Sequence, residues 1–364
     1  MKIFIIITGL GMGGAERSIS DLADKFTDLN HEVFIISLTG ETIVKPKNPK
    51  IRIIELKIKK NPLSIIKGVF KIKKMINHYK PDIIHSHMVH ANIFSRIMRL
   101  FIKFPVLVCT AHNKNEGGKL RMFIYRITDR LANISTNVSQ EAVNNFISLK
   151  ATKKGRMIPF YNGIDINKYH YNEFIRNQKR KDINISKSSQ LILAVGRLTE
   201  AKDYPNLFHA ISKLNHPIDI KLVIIGDGED KEKLKKLAKQ LNIAQHIIWL
   251  GIRHDVEDWM SACDLFVLSS AWEGFGLVVA EAMACERLVI GTNAGGVSEV
   301  ISKHGFIVPT NDSDALSSVI TKCLSLTPQE KNAIGTNARK HILNNFSLEK
   351  VSNEWIKLYT NLLK

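Results

Sequence analysis

Short apolar segments alternate with helical segments twice along this chain, and this alternation constrains its fold most strongly. In the first half, apolar segments such as 2–8 and 106–110 predict strands, separated by segments with helical spacing. The pattern starts again at 191–195 and continues to 288–291. Because parallel strands need crossover connections, strands that alternate with helices favour parallel, doubly wound sheets. At 364 residues the chain is long enough for two cores, so we predict an α/β fold with two Rossmann-like domains.

The positive charge of the chain is concentrated in its first half. The formal net charge is +18, and residues 1–160 hold 27 Lys and Arg against 11 Asp and Glu, whereas the rest is nearly balanced. Such an asymmetry indicates an anionic partner, either a membrane surface or nucleic acid. Aromatic residues are sparse among the basic ones and no nucleic-acid recognition motif is present. We therefore expect no nucleic-acid partner and favour an anionic membrane surface.

The segment 62–80 is a candidate for this membrane contact. Its apolar residues form a stripe at helical spacing, while Lys67, Lys71 and Lys74 lie along another face. At a lipid surface each basic residue would contribute about 1 kcal/mol. An ordinary surface helix packed on the sheet has the same pattern, so both interpretations stay open at this point.

Cysteine usage and hydropathy indicate a cytoplasmic protein. The four cysteines are scattered and form no C-x-x-C pair, which suits a reducing compartment without disulfides or a structural zinc site. No apolar segment approaches the ~18 residues that a transmembrane helix needs. Any membrane association is therefore expected to be peripheral.

Two glutamates eight positions apart, Glu273 and Glu281, lie in the most informative stretch of the chain. The apolar run 265–268 predicts a buried strand, the next loop contains Glu273, and the run 277–280 predicts a helix whose first turns contain Glu281. A loop that opens a helix presents backbone N–H groups and the positive end of the helix dipole. These N–H groups can bind phosphate. The two carboxylates only accept hydrogen bonds, so they can bind sugar hydroxyls. A strand-loop-helix unit with unrelated acids is the alternative.

A basic pair follows the first strand of the second half. The sequence there reads GRLTEAKD, in which Arg197 supplies a rigid fork of donors and Lys202 a point charge. Together they suit a diphosphate. Alone, an Arg and a Lys near a strand end are more often solvated, but their position upstream of the two glutamates favours a binding role.

A glycine-rich turn follows the first predicted strand. Gly9, Gly11 and Gly14 satisfy the G-x-G-x-x-G pattern of dinucleotide sites. Such sites also need an acidic residue at the end of the second strand, where this chain has Ser37, so we do not expect NAD or another cofactor. We interpret the turn as a loop whose N–H groups at Gly13 and Gly14 approach a phosphate or an acceptor.

Histidines follow two of the predicted strands of the first half. His112 comes after the strand 106–110, and an imidazole there can donate a hydrogen bond to a departing phosphate oxygen. His85 and His87 could form part of a zinc site, but no clustered cysteine or carboxylate completes it, so we expect no metal. A contact of His87 with an acceptor is a further hypothesis.

Taken in chain order, these elements resemble the family 4 retaining glycosyltransferases with the GT-B fold. The resemblance spans nearly the whole chain: the glycine turn, His112, the segment IPFYNGID at 158–165, the pair Arg197 and Lys202, and the E-x7-E glutamates. It implies two Rossmann-like, doubly wound domains that face a central cleft.

The resemblance also implies the domain boundaries. The N-terminal, acceptor-side domain would comprise residues 1–163, together with a C-terminal crossover helix at 346–364. The C-terminal domain, residues 164–345, would bind the nucleotide-sugar.

Each site residue has an implied role in such an enzyme. Arg197 and Lys202 would neutralise the diphosphate, Glu281 would hold the ribose hydroxyls, and Glu273 would bind the hexose. His112 would contact the sugar and the leaving phosphate. The remaining donor-binding residues would act at the base (Arg253) or through backbone N–H groups (Phe275, Gly276, Leu277 and Val278).

The implied activity is a retaining, metal-independent glycosyl transfer. A hexose or N-acetylhexosamine would pass from a nucleotide-sugar, with UDP as the favoured nucleotide, to a lipid-linked glycan in surface polysaccharide biosynthesis, as in O-antigen, lipopolysaccharide or capsule assembly. The enzyme would be cytoplasmic and peripherally associated with the inner face of the cytoplasmic membrane. Two alternatives remain: a nucleotide-sugar epimerase on the same fold, and a non-catalytic basic protein that binds membrane or nucleic acid.

Overall fold

The computed structural model describes residues 1–186, 188–214 and 219–364. The chain divides into two compact units, the first comprising residues 1–163 with 348–364 and the second residues 164–347. Each unit contains one parallel sheet covered by helices. The predicted α/β fold with two Rossmann-like, doubly wound domains is therefore confirmed.

The first unit is built on a seven-stranded sheet with the order β3-β2-β1-β4-β5-β6-β7. All of its strand pairs are parallel, and Ile5 at its centre pairs with Ile35 on one side and His85 on the other. The strands are β1 (Lys2–Ile7), β2 (Glu32–Ser37), β3 (Arg52–Glu55), β4 (Ile83–His87), β5 (Val106–Ala111), β6 (Ile134–Asn137) and β7 (Met157–Pro159).

Five helices connect these strands. They are α1 (Gly14–Asp28), α2 (Pro62–Tyr79), α3 (Val89–Met98), α4 (Lys119–Thr128) and α5 (Gln140–Ser148), with a short 3₁₀ turn at Asp129–Leu131. Helix α2 shows why the boundaries fall where they do. The Asn61 side chain accepts a hydrogen bond from the Ser64 N–H, Pro62 occupies the first turn, and Lys80 ends the helix in the left-handed conformation.

The second unit has a six-stranded parallel sheet with the order β10-β9-β8-β11-β12-β13. Its strands are β8 (Gln190–Val195), β9 (Ile220–Ile225), β10 (Ile247–Gly251), β11 (Leu265–Leu268), β12 (Leu288–Thr292) and β13 (Phe306–Val308). Its helices are α6 (Glu173–Asp182), α7 (Tyr204–Ser212), α8 (Lys231–Gln240), α9 (Val256–Ala262), α10 (Leu277–Ala284), α11 (Val297–Ile301), α12 (Ser313–Ser325) and α13 (Pro328–Phe346). Short 3₁₀ turns lie at Glu200–Lys202 and Ala244–His246.

The last helix, α14 (Leu348–Leu363), belongs to the first unit and packs there beside α1. Side chains of β1 point alternately to the two faces of the sheet. Ile3, Ile5 and Ile7 join the cluster with α1 and α14, whereas Phe4 and Ile6 join the cluster with α2 and α3. The sheet of the first unit is thus covered on both faces, as parallel sheets require.

Within the described parts of the chain, no helix combines the length and the apolarity needed to cross a membrane.

Candidate functional site

In both sheets the strand order reverses beside the first strand of the unit, between β1 and β4 in the first and between β8 and β11 in the second. Ligands of open α/β sheets bind outside the carboxyl ends of the strands at such a switch point. The loops after β8 and β11 carry Arg197, Lys202 and Glu273. In the first unit, the corresponding edge carries the glycine turn after β1 and His87 at the end of β4.

Lys202 and Glu273, which are 71 residues apart, form an ion pair between Lys202 Nζ and Glu273 Oε1. Ser270 Oγ donates a 2.9 Å hydrogen bond to the same oxygen. The two loops are also joined through Ser269 Oγ, which donates to the Lys202 carbonyl at 2.9 Å, and through the backbone of Ala271 and Ala201. The fold therefore brings together a predicted phosphate ligand and a predicted sugar ligand.

Arg197 is exposed on the loop after β8, and a neighbouring loop fixes the backbone on which it lies. The N–H of Leu198 donates to the Asp227 carbonyl at 3.0 Å. A Cβ at Gly226, where φ is +143°, would lie 1.9 Å from the Gly196 carbonyl oxygen, and one at Gly228 would lie 2.3 Å from the Leu198 carbonyl oxygen. Both glycines are therefore required for this close approach.

The importance of Gly226 and Gly228 was missed at the sequence level. The only available signal was a G-D-G turn at the end of β9, a pattern common in loops of many folds. The structure shows that this turn supports the segment carrying Arg197.

The residues after Glu273 lead directly into helix α10. Phe275 is buried, with its ring 5.6 Å from that of Phe346. Gly276 adopts a left-handed conformation, φ +86°, in which a Cβ would lie 2.9 Å from Val297 Cγ2. Leu277 and Val278 are the first two residues of the helix, whose first turn directs backbone N–H groups outward. The segment thus has the geometry of an anion-binding helix start.

Glu281 lies in α10 and is only 3% exposed. Its helical neighbours Ala280 and Ala282 are fully buried. A carboxylate at such a position is unusual in an apolar helix, because burial disfavours the charged form unless partners compensate.

Arg253 is exposed just after β10 and makes two hydrogen bonds to Asp255, at 2.8 and 2.6 Å. The bonds from Arg253 and from Lys179 hold the pKa of the Asp255 carboxyl well below its usual range. The structure places Arg253 on a different loop from Arg197 and Lys202, with its guanidinium oriented by this carboxylate.

In the first unit, Gly13 is the N-cap residue of α1 and Gly14 is its first residue. The predicted glycine turn therefore does open a helix. The strand β2 ends at Ser37, whose hydroxyl donates to the Thr39 carbonyl at 3.2 Å.

His112 directly follows β5 and is half-buried. Its Nε2 lies 3.1 Å from Nδ1 of His87, which is buried at the end of β4. Burial lowers the pKa of His112 to about 4, so its imidazole is neutral at pH 7. Burial also holds the pKa of His87 well below its usual value.

The H-x-H sequence of β4 is part of a buried hydrogen-bond network. His85 Nδ1 lies 2.6 Å from the Tyr359 hydroxyl of α14, and its Nε2 lies 2.6 Å from the Thr110 hydroxyl. Both ring nitrogens of His85 therefore have protein partners. Sequence reasoning had no means of finding this, because Tyr359 is 274 residues away.

Glu116, in the loop after His112, is a second buried group that the sequence did not single out. Burial raises the pKa of its carboxyl to about 7, although it accepts hydrogen bonds from the Asn113 side chain and the His112 backbone. These bonds fix the loop that begins at His112.

A small cavity of about 20 Å³ lies in the first unit beside these histidines. It is lined by residues of α1, α14 and the segment before Ile164, among them Ser18, Asn162 and Trp355, and by His87 and His112 at the ends of β4 and β5. Ser18 Oγ donates to Asn162 Oδ1 at 2.9 Å. Asn162, which lies in the segment 158–165 that carries the family resemblance, is thus fixed in the wall of this cavity.

Two family descriptions match the chain, one in each half. "Glycosyltransferase Family 4" matches residues 12–168, and "Glycosyl transferases group 1" matches residues 175–341. Together the two matches account for most of the sequence.

Relatives with assigned names are similar over most of their length. The N-acetyl-alpha-D-glucosaminyl L-malate synthase of Bacillus anthracis is 28% identical over 381 aligned residues, which cover 100% of this chain and 98% of the relative. A second relative, from Campylobacter jejuni, is 28% identical over 335 residues, covering 86% of this chain and 88% of its own. Its name is N-acetylgalactosamine-N,N'-diacetylbacillosaminyl-diphospho-undecaprenol 4-alpha-N-acetylgalactosaminyltransferase.

Solved structures share the fold over the full length. A glycosyltransferase from Rickettsia africae superimposes with a TM-score of 0.89 at 24% identity, covering 100% of this chain and 98% of that one. HepE of Anabaena, in complex with UDP, gives a TM-score of 0.86 at 22% identity over 99% and 100% of the two chains. These structures confirm the predicted fold, and the two family matches show that the chain belongs to the family 4 glycosyltransferases with the GT-B fold.

Proposed function

We propose that the chain transfers a hexose or N-acetylhexosamine from a UDP-sugar to a lipid-linked glycan, with retention of the anomeric configuration, in surface polysaccharide biosynthesis. The observation that carries this proposal is the pair Lys202 and Glu273 at the switch point of the second unit, with α10 beginning immediately after it. The name of the Campylobacter relative, which specifies a diphospho-undecaprenol acceptor, supports the lipid-linked acceptor. The complex of HepE with UDP supports the nucleotide.

In the proposed complex the ion pair exchanges partners. Lys202 turns from Glu273 to the diphosphate, and the carboxylate of Glu273 then accepts hydrogen bonds from hexose hydroxyls. Arg197, which is exposed, adds a planar fork for phosphate oxygens. The backbone N–H groups of residues 275–278, at the start of α10, donate hydrogen bonds to the phosphate oxygens. Glu281 accepts hydrogen bonds from the ribose hydroxyls. Arg253 contacts the base.

During transfer, the acceptor hydroxyl oxygen forms a bond to C1 of the sugar, and the bond from C1 to the diphosphate oxygen breaks. The hydroxyl proton leaves with UDP. Negative charge develops on the departing oxygen, where Arg197, Lys202 and the N–H groups stabilise it. His112, neutral at pH 7, donates a hydrogen bond to the leaving phosphate, and Gly13 and Gly14 offer backbone N–H groups. The proposed reaction requires neither a metal nor a cofactor.

The donor site is tested by thermal unfolding with UDP, GDP, ADP, CMP and NAD. A ligand at ~100 times its dissociation constant adds about 2.7 kcal/mol to the free energy of unfolding, which raises the midpoint measurably. We expect a selective shift with UDP that is lost in Arg197→Ala and retained in Lys239→Ala, an exposed cation on α8. A shift with NAD alone would contradict the proposal.

We also propose that the first unit binds an anionic membrane surface through α2, α3 and α4. Helices α2 and α3 pack on the same face of the sheet, and α4 contacts α3. Between residues 57 and 128 the chain has 15 Lys and Arg but only two acids, Asp82 and the buried Glu116. All of these cations except the buried Arg96 are exposed or partly exposed, so the net positive charge of this region lies on its surface.

Large apolar side chains are exposed on the same helices. On α4, Leu120, Phe123 and Ile127 are 73%, 54% and 60% exposed and lie on one helical face. On α2, the predicted apolar stripe is only partly buried: Ile72 and Ile76 enter the core, whereas Ile65 and Ile66 remain exposed with Leu63 and Phe70. Exposed apolar residues among basic ones are typical of interfacial helices.

Vesicle sedimentation tests this contact. We expect binding to vesicles containing phosphatidylglycerol, weak binding to pure phosphatidylcholine, and loss of binding at high salt. Phe123→Ser should weaken binding, whereas Phe174→Ser, which removes a 76% exposed phenylalanine from α6 of the second unit, should not. Equal binding of both variants would place the contact elsewhere.

A further inference from the structure

The bond between His87 and His112 determines which nitrogen of His112 carries its proton. Both rings are neutral at pH 7, because burial lowers both pKa values. A neutral imidazole has one N–H donor and one bare acceptor nitrogen. Of the two nitrogens that meet at 3.1 Å, His87 Nδ1 and His112 Nε2, one therefore donates and the other accepts.

The surroundings of His87 decide between the two arrangements. Its Nε2 is buried, and no described residue provides that nitrogen with a hydrogen-bond partner. If His112 were the donor, His87 would carry its own proton on Nε2 and would bury an N–H for which no described residue provides an acceptor. Buried N–H groups without acceptors are rare and costly. If His87 Nδ1–H is the donor, only a lone pair remains on its Nε2.

The orientation of His87 is fixed by its neighbours. Its ring lies 3.9 Å from the ring of His85, and His85 is held at both nitrogens by Tyr359 and Thr110. His85 also packs at 4.5 Å on Trp355 of α14. A ring held in this way presents its Nδ1 to His112 in a constant geometry.

We propose that His87 is a positioning residue that donates from Nδ1 to His112 Nε2, so that His112 keeps its proton on Nδ1 and presents that N–H to the substrate. The tautomer follows from contacts within the first unit, whereas its use in transfer rests on the proposed function. His87 itself need not touch the sugar or the phosphate. It acts by fixing the only hydrogen that His112 can donate.

The tautomer is measurable in the protein without any substrate. The chain has 13 histidines, and ring nitrogens of ¹⁵N-histidine-labelled protein can be observed by long-range ¹H–¹⁵N correlation at pH 7. The signals of His112 are identified by their loss in His112→Gln. We expect a protonated Nδ1 and a bare Nε2 in His112. A protonated Nε2, in either the neutral or the charged ring, would overturn the proposal.

Two variants of His87 test the positioning role. In His87→Asn the side-chain amide places an N–H donor near the position of Nδ1, whereas His87→Leu removes the donor. We expect His87→Leu to lower kcat about tenfold or more with UDP binding unchanged, and His87→Asn to recover most of the loss. Wild-type kcat in His87→Leu would overturn the role.

The outcomes of the two experiments are separable. If the wild-type protein transferred no sugar, the proposed function would fail, but the ring signals of His112 would still decide the tautomer. If His87→Leu did not fold, as judged by its thermal transition, the spectrum of the wild-type protein would again decide.

Discussion

The two units have the same kind of parallel sheet and the same reversal of strand order beside the first strand, yet their switch points carry different chemistry. In the second unit the loops after β8 and β11 carry charged groups, with Lys202 paired to Glu273. In the first unit the corresponding edge carries neutral histidines tied into the core, and the charged residues lie on the outer helices.

This difference indicates a division of labour. Charged side chains on loops can change partners when a diphosphate arrives, because they are held by few contacts. The neutral ring of His112 is half-buried and packs beside the buried ring of His87, so it suits a group that must donate one hydrogen bond in one direction. The same topology thus supports an adaptable site and a rigid one.

The largest expected effect is on kcat, from a change in the charged site, by which we mean Arg197, Lys202 and Glu273 on the loops after β8 and β11. Glu273→Gln should lower kcat by about 10²- to 10³-fold, comparable to the loss of one well-placed transition-state hydrogen bond. The shift of the unfolding midpoint by UDP should remain, because Arg197 and Lys202 are still present. Steady-state transfer assays with UDP-sugars and lipid-linked acceptors measure the change. Glu200→Gln, an exposed glutamate two residues before Lys202, is the matched control and should have normal kcat.

The neutral state of His112 in the first unit should affect how the free energy of unfolding depends on pH. The pKa of His112 is about 4 in the folded chain against 6.5 in the unfolded one, so the unfolded chain binds more protons between these pH values. The contribution of His112 to the free energy of unfolding is therefore complete above pH 6.5 and is lost as the pH falls towards 4. The largest possible loss is about 3 kcal/mol.

Urea unfolding at pH 7.5 and pH 5 measures this contribution as a difference between proteins. His112→Gln should lose less stability than the wild type on acidification, and His209→Gln, an exposed histidine of α7, should behave as the wild type. Acidification changes the contribution of Glu116 to stability in the opposite direction, because burial raises the pKa of its carboxyl to about 7. All three proteins contain Glu116, so its contribution cancels in the comparison. Equal losses in all three would show that His112 is not held neutral.

Gly226 should contribute to the free energy of unfolding, because it allows the loop after β9 to approach the segment that carries Arg197. Gly226→Ala would place a Cβ 1.9 Å from the Gly196 carbonyl oxygen in a positive-φ conformation, so we expect a loss of about 2 kcal/mol or more. Gly40→Ala is the control, since Gly40 also has a positive φ but nothing lies within 4 Å of its Cβ position. Its cost should be about 1 kcal/mol. Thermal unfolding of the two variants measures the difference, and equal costs would contradict the close approach.

The smallest expected effect is on the affinity for UDP when the guanidinium of Arg197 is replaced by an ammonium group of the same charge. Arg197→Lys keeps the charge but loses the planar fork, so the dissociation constant of UDP should rise about tenfold, which is about 1.4 kcal/mol. Isothermal titration measures the change. An unchanged affinity would show that Arg197 acts as a point charge or not at all.

Much of this organisation could be predicted from the sequence because its signals are local. Apolar periodicity within short windows determined the two series of strands and helices, and the segment 62–80 proved to be a helix at Pro62–Tyr79. The motif around Glu273 and Glu281 was readable because the strand, loop and helix that form it are contiguous. The roles of the individual site residues remain predictions.

Other features depended on contacts between distant parts of the chain, which only the tertiary structure decides. Lys202 meets Glu273 because β8 and β11 are neighbours, and His85 meets Tyr359 because α14 packs in the first unit. Strand order and helix packing bring such residues together, and no window of sequence contains both partners. The sequence by itself predicted the alternation of strands and helices and the motifs that they carry, although it did not single out the short strands β6, β7 and β13. The tertiary structure determined which side chains are buried, and burial is the physical reason that His112 is neutral beside His87.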